Sequence, residues 1–175
     1  MTDMDFAEGL TRWTVRLSLG CYVAALALLL AGGGNRRRKR DALARGFWTL
    51  GCGLLLLHVG AAFHFFHHWR HAEAYRETAR QTAELFGWNW GGGLWFNYLF
   101  ALLWTADAAW WQWAGDGRYR LRTRWIALPL HAYLAFIAFN ATVVFETGAT
   151  RWLGVAAIIW LAAIWWRGRR RSTSA

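Results

Sequence analysis

The residues with the clearest capacity for chemistry are four histidines in the segment His64-Phe-Phe-His-His-Trp-Arg-His71. Their spacing of i, i+3, i+4 and i+7 places all four within a face about 100° wide if the segment is helical. Imidazoles four residues apart on a helix can reach one ion, and imidazole suits Zn, Cu or Fe. The pattern predicts a transition-metal site formed by His64, His67, His68 and His71. The alternative is that these histidines simply bridge lipid and water with their polar tips.

Three polar side chains elsewhere are candidate partners of this histidine cluster. Asn97 lies near the start of a later apolar segment, and Asn140 and Glu146 lie near the end of the next one. The orientation derived below places all three at the same membrane boundary as the histidines. Carboxylate oxygens are common ligands beside imidazole, so these residues could complete a metal site.

The motif His64-Phe-Phe-His-His68 resembles one histidine box, H-x-x-H-H, of the membrane di-iron desaturases and hydroxylases. That family spreads three such boxes along the chain. This sequence supplies one box together with His71, His58 and His131, which leaves too few ligands for the family's di-iron site within one chain. The resemblance covers five residues, and the family's activity is not carried over from it.

Three further ionisable residues, His58, His131 and Asp107, lie well inside predicted membrane spans, away from their outer ends. Counted at about 1.5 Å per residue from the inner boundary, His58 lies about 18 Å deep and His131 about 9 Å deep. These two are the candidate cofactor-binding histidines, but a bis-histidine haem needs matched depths, so their difference argues against haem. Asp107 lies about 10 Å from the same boundary, which predicts a hydrogen bond to His131. We expect this pair to act as a polar clamp between two helices; the alternative is a proton relay.

The composition predicts an integral membrane protein with a single domain. The chain has 175 residues, 57% of them hydrophobic, and its apolar runs can cross a bilayer core of about 30 Å. We predict an all-α polytopic bundle with five spans, at about residues 13–31, 47–69, 94–114, 125–146 and 151–166. Opposite charges three or four residues apart predict a solvated helix over residues 72–86. Neither Gly nor Pro occurs between residues 61 and 86, so we expect the second span to continue into that helix as one rod.

The positive charges predict the orientation in the membrane. Of the 20 Lys and Arg residues, 14 fall in the loop after the first span, the loop after the third span and the carboxyl-terminal tail. Loops rich in Lys and Arg stay on the cytoplasmic side. We therefore expect an inner (plasma) membrane protein whose amino terminus is outside and whose carboxyl terminus is cytoplasmic. This topology accounts for the net charge of +10, so the expected partners are the lipid bilayer and other membrane subunits, and not nucleic acid.

Two hypotheses of different classes follow for function. The first is a small membrane protein that binds a transition metal or a cofactor through its outer-face histidines. The alternative is a non-catalytic structural or assembly subunit of a larger membrane complex. A third hypothesis, an enzyme or proton-coupled carrier that uses Asp107, His131 and His58, has less support in so short a chain.

Overall fold

The computed structural model describes residues 3–31 and 37–173, and all regular secondary structure in these ranges is helical. The elements are α1 (Asp3–Leu30), α2 (Arg37–Phe65), α3 (His71–Phe86), α4 (Gly93–Arg120), α5 (Arg124–Phe139) and α6 (Gly148–Thr173). A π-helical turn, Asn140–Val144, directly continues α5. The predicted all-α bundle is confirmed, and the predicted helix at residues 72–86 corresponds to α3.

Within residues 3–31 and 37–173, four helical stretches are long and apolar enough to cross a membrane: Asp3–Leu30, Arg37–Phe65, Arg124–Val144 and Gly148–Gly168. They correspond to the first, second, fourth and fifth predicted spans. The third predicted span falls within α4, which does not belong to this set and carries Asn97, Thr105, Asp107 and Gln112. The chain is thus a helical membrane protein, and the count of five spans stays a prediction.

Two contacts show how α1 and α2 run against each other. Phe6, near the start of α1, packs on Phe65, the last residue of α2, with ring centroids 6.5 Å apart. At the opposite end, Arg40 of α2 donates a hydrogen bond to the carbonyl of Ala31, 3.1 Å away. We call the end with Phe65 and the start of α4 the histidine end. The end with Arg40 and the segment joining α4 to α5 is called the arginine end.

The two long helices approach closely because a glycine faces the other helix. The Ser18 hydroxyl of α1 donates a 2.7 Å hydrogen bond to the carbonyl of Gly51 on α2. A Cβ added at Gly51 would lie 2.9 Å from the Trp104 ring and 3.0 Å from the Cβ of Cys21. Gly51 therefore lets α1, α2 and α4 meet at one point.

Large aromatic rings fill the space beside this contact. The rings of Tyr22, Trp48 and Trp104, one from each of α1, α2 and α4, lie with centroids 5.3–5.5 Å apart. Trp48 and Trp104 are fully buried, and Trp111 packs against Trp48 at 6.4 Å. Such pairs contribute about 0.5–1.5 kcal/mol beyond their buried area, so they hold the centre of the bundle together.

The predicted continuous rod from the second span into α3 is wrong, because α2 ends at Phe65 and α3 begins at His71. The amides of Phe66 and His67 both bond to the carbonyl of Ala62, and the amide of Trp69 bonds to the carbonyl of Phe63 at 2.9 Å. His68 and Trp69 have positive φ, which turns the chain without a glycine.

The break has a physical reason in the packing of α3. Its buried residues are Ala74, Ala79 and Thr82, and α3 lies against α4. A rod continuing into water would leave this face without packing partners, so burial outweighs the cost of two residues with positive φ. At its other end, α3 stops where expected, at Gly87 with φ 75°.

Two glycines of α2 provide a matched test of the helix contact. We expect Gly51→Ala to destabilise the protein by about 1–3 kcal/mol, because the new methyl group has no space. Gly53→Ala, where a Cβ meets no atom within 4 Å, should be neutral or stabilising by up to about 1 kcal/mol. Thermal unfolding of both variants in detergent, followed by circular dichroism, measures the difference; equal unfolding temperatures would contradict this packing.

Candidate functional site

A cavity of about 280 Å³ lies among α1 to α5 at the histidine end of the bundle. Apolar side chains from several helices form most of its wall, among them Leu19, Leu55, Phe100 and Ile137. Its polar lining consists of His58, His67, Glu77, Thr78, Gln81, Asn97 and Tyr98. A mostly apolar cavity with a few convergent polar groups is the usual form of a small-molecule site.

His58 enters this cavity with its ring orientation already fixed. Its Nδ1 lies 2.9 Å from the carbonyl oxygen of Thr11 on α1. Because a carbonyl can only accept, Nδ1 carries the proton of the neutral ring, and Nε2 keeps a free lone pair. Imidazoles held in this way commonly act as metal ligands or hydrogen-bond acceptors.

His67 reaches the same cavity from the turn between α2 and α3. Its ring packs on Phe63, with centroids 5.5 Å apart. Burial lowers the pKa of the His67 imidazole below its ordinary value of 6.5, and nearby Glu77 and Glu73 oppose this shift. The ring is therefore neutral at pH 7 and offers a second lone pair to the cavity.

The carboxylate that borders the cavity is already occupied. Glu77 accepts hydrogen bonds from the guanidinium of Arg80, 2.6 and 2.9 Å away, and from the amide of Gln81, 3.0 Å away. The hydrogen bond from Arg80 is the main reason that the pKa of Glu77 lies below its ordinary value. Glu77 thus stays ionised, and its carboxylate is held by Arg80, which also pairs with Glu84. The imidazoles are left as the groups with free lone pairs in the cavity.

The structure places the four histidines of the predicted metal cluster on different elements: His64 in α2, His67 and His68 in the turn, and His71 in α3. His64 is exposed beside the ring of Phe65, and His68 lies exposed in the turn. His71 begins α3, with its Nδ1 3.1 Å from the hydroxyl of Tyr98. Among the described residues, no group of three or more His, Cys, Asp or Glu side chains is arranged to hold a metal ion. The prediction that the four histidines share one helix face is wrong, because the helix ends at Phe65. Metal binding itself stays a prediction.

The three predicted partner residues have different surroundings. Asn97 lines the cavity. Asn140 donates its amide to the carbonyl of Phe136, 2.8 Å away on its own helix, and Glu146 accepts a bond from Arg151 through its backbone carbonyl. Neither Asn140 nor Glu146 is among the residues that line the cavity, so Asn97 alone joins the histidines there.

A second polar cluster lies inside the bundle near the arginine end. The Asp107 carboxylate of α4 accepts hydrogen bonds from the guanidinium of Arg122 and, at 2.7 Å, from the hydroxyl of Tyr119. The side chains of Asp107 and Arg122 are only 2% and 5% exposed. The Arg122 guanidinium also lies over the Tyr119 ring, 4.1 Å from its centroid. The cluster is a buried ion pair with most of its hydrogen bonds satisfied.

His131 joins this cluster through Arg122, so the predicted direct hydrogen bond between Asp107 and His131 is wrong. Nε2 of His131 faces a guanidinium nitrogen of Arg122. A guanidinium can only donate, which leaves Nδ1 of His131 to carry the ring proton. Nδ1 is buried and has no hydrogen-bond partner in the described part of the chain. The sequence analysis used Arg122 only as one of the loop arginines that predict the orientation in the membrane, and so missed its role here. The one sequence feature that pointed to this role was its position three residues after Tyr119.

The two candidate cofactor histidines lie at different levels of the bundle. His131 packs edge-on against Trp48, with centroids 5.5 Å apart. His58 follows Trp48 by ten residues on α2, a separation of about 15 Å along the helix. They therefore belong to two separate sites, His58 to the cavity and His131 to the buried ion pair.

Comparison with known proteins adds no functional assignment. No protein-family model, curated protein or solved structure matches this chain.

The buried ion pair generates a prediction about stability. Asp107→Leu leaves the guanidinium of Arg122 buried without its partner and should destabilise the bundle by about 3–5 kcal/mol. The double variant Asp107→Leu with Arg122→Met removes both charges and should recover most of that loss. Denaturant titration in detergent measures both variants. If the double variant is no more stable than Asp107→Leu alone, the two groups are not coupled.

The burial of His67 predicts a dependence of stability on pH. Because the pKa of His67 is lowered on folding, the unfolded chain binds the proton more readily. The contribution of this group to stability is complete above pH 6.5 and is lost as the pH falls through the lowered value. We expect His67→Gln to reduce the difference in unfolding temperature between about pH 7.5 and about pH 5.5. The exposed His64→Gln is the control, and a larger effect there would contradict the assignment.

Proposed function

We propose that this chain is a small multi-pass membrane protein that binds a neutral amphipathic molecule in the cavity at its histidine end. By the charge distribution, it belongs to the inner (plasma) membrane, with that end and the amino terminus outside. The observation that carries the proposal is the meeting of two imidazoles and the Asn97 amide above an apolar floor. The three sequence segments that supply them converge only in the folded bundle.

The free polar groups indicate which ligand the cavity favours. The fixed Nε2 of His58 is an acceptor, as is the neutral ring of His67 through one of its nitrogens. The side-chain amide of Asn97 both donates and accepts. Glu77 is the charged residue of the lining, and its carboxylate already accepts hydrogen bonds from Arg80 and Gln81; the free polar groups are therefore the two imidazoles and the amide. These groups suit a molecule with hydroxyl or N–H donors on its head and an apolar remainder.

A transition metal is the second ligand class, and it rests on the same two histidines. A backbone carbonyl holds the Nδ1–H of His58, which is the arrangement that orients imidazole towards a metal. If the ligand is a metal, the proposed protein ligands are His58 and His67, and they replace the predicted set of four histidines on one helix face. Further ligands would have to come from water or from the bound molecule.

We expect the purified protein to retain a ligand whose binding requires the cavity. Native mass spectrometry of the full chain in mild detergent, together with elemental analysis, detects an organic molecule or a metal. His58→Phe replaces the fixed imidazole with a ring and should reduce the retained ligand at least tenfold, a loss of about 1.4 kcal/mol. His64→Phe, on the exposed side of the same helix, should leave it unchanged.

The proposal is supported if an organic ligand or a metal is lost in His58→Phe and kept in His64→Phe. Which of the two is lost identifies the class of ligand. A wild-type protein that is folded and retains neither would contradict it, as would equal loss in both variants. Folding of each variant is checked by its thermal unfolding transition.

A structural or assembly role is a second candidate because of α6. None of the apolar stretch of α6 is buried inside the bundle, and its exposed residues include Trp152, Leu153, Ile159 and Trp160. This surface suits lipid or the helices of another subunit. Co-purification of a stoichiometric membrane partner that is lost in Ile159→Glu, with no ligand in the cavity, would favour this role over ligand binding.

A further inference from the structure

The arginine end has more positive charges than its own carboxylates can pair. Three acidic residues lie at this end among the described residues, and each already has an arginine partner. Asp41 pairs with Arg120, Asp107 with Arg122 and Asp116 with Arg45. The acidic side chains of this end are therefore used internally, two of them to tie α2 to the end of α4.

Six further cations at this end have no carboxylate partner in the part of the chain that the structure describes. They are exposed and belong to the first turn of α2, the ends of α4 and α6 and the start of α5: Arg37, Arg38, Lys39, Arg118, Arg124 and Arg167. The described contact of the Arg124 guanidinium is with the Trp125 ring, 5.6 Å away. The acidic side chains that the structure describes at this end are already paired, so this set is free to bind an external anion.

The surroundings of these cations indicate which anion. Trp113, Leu121 and Trp125 are 82%, 86% and 76% exposed around the same end. Exposed indoles beside arginines are typical of the level of lipid head groups, where the ring meets the acyl boundary and the cation meets phosphate. A soluble polyanion would not bury these apolar side chains, whereas a bilayer does.

We propose that the arginine end is a binding surface for anionic phospholipid head groups, with Arg118 and Arg124 on either side of the segment joining α4 to α5. The first turn of α2 and Arg167 of α6 supply the remaining cations. Each exposed cation near an anionic membrane surface increases association by about fivefold, and the effect weakens with salt. This surface is separate from the cavity, which lies at the opposite end of the bundle.

The test uses the full chain in nanodiscs made of equal parts phosphatidylcholine and phosphatidylglycerol. Native mass spectrometry counts the lipids of each kind that remain bound after the disc is removed. We expect the wild type to retain phosphatidylglycerol preferentially. The variant Arg118→Gln with Arg124→Gln should lose this preference by about fivefold for each substitution.

The matched control is Arg70→Gln with Arg76→Gln, which removes the same charge at the histidine end. It should keep the wild-type preference. Equal retention of both lipids by the wild type would overturn the proposal, and so would an equal loss in the control. A soluble RNA oligonucleotide is the competing anion: if it binds protein in neutral nanodiscs at physiological salt while no preference for phosphatidylglycerol exists, the surface recognises nucleic acid instead.

Discussion

The ion pair between Asp107 and Arg122 is the interaction on which the arrangement of the bundle depends. Arg122 lies in the short segment between α4 and α5, yet its side chain is buried against the carboxylate of α4. Removing such charges from water costs several kcal/mol, which only good hydrogen bonds recover. Tyr119 and His131 supply further contacts to the pair. The segment after α4 therefore has one favourable position, and this position sets α5 against α4 and directs His131 towards Trp48.

The two ends of the bundle have opposite characters as a result. At the arginine end, three ion pairs and the stacked rings of Trp111 and Tyr119, 3.8 Å apart, close the structure. At the histidine end, α2 breaks and α3 folds beside α4, so that polar side chains of α3 line a space floored by apolar residues. The same turn that destroys the predicted histidine face creates the cavity, because a continuous rod would carry α3 away from it.

The sequence predicted the helices well and the sites only in part. Apolar length and charge spacing located the membrane helices and α3, since both signals act along one helix. The break after Phe65 has no glycine or proline to mark it and arises from the packing of α3, which local patterns do not contain. His67 and Asn97 were predicted to belong to one metal site and His58 to a separate cofactor site, and the meeting of all three depends on how the helices pack. Arg122 was counted as a loop charge because its burial depends on a carboxylate 15 residues earlier.

An accessible, mostly apolar cavity that holds His58 and His67 lies at one end of the bundle, and a closed polar cluster lies at the other. Chemical labelling of histidines with diethyl pyrocarbonate, read by mass spectrometry on the folded protein, tests this most directly. We expect fast labelling of His64 and His68, slower but measurable labelling of His67 and His58 through the cavity, and no labelling of His131 until the protein unfolds. Labelling of His131 in the folded state, or protection of His58 equal to that of His131, would contradict it.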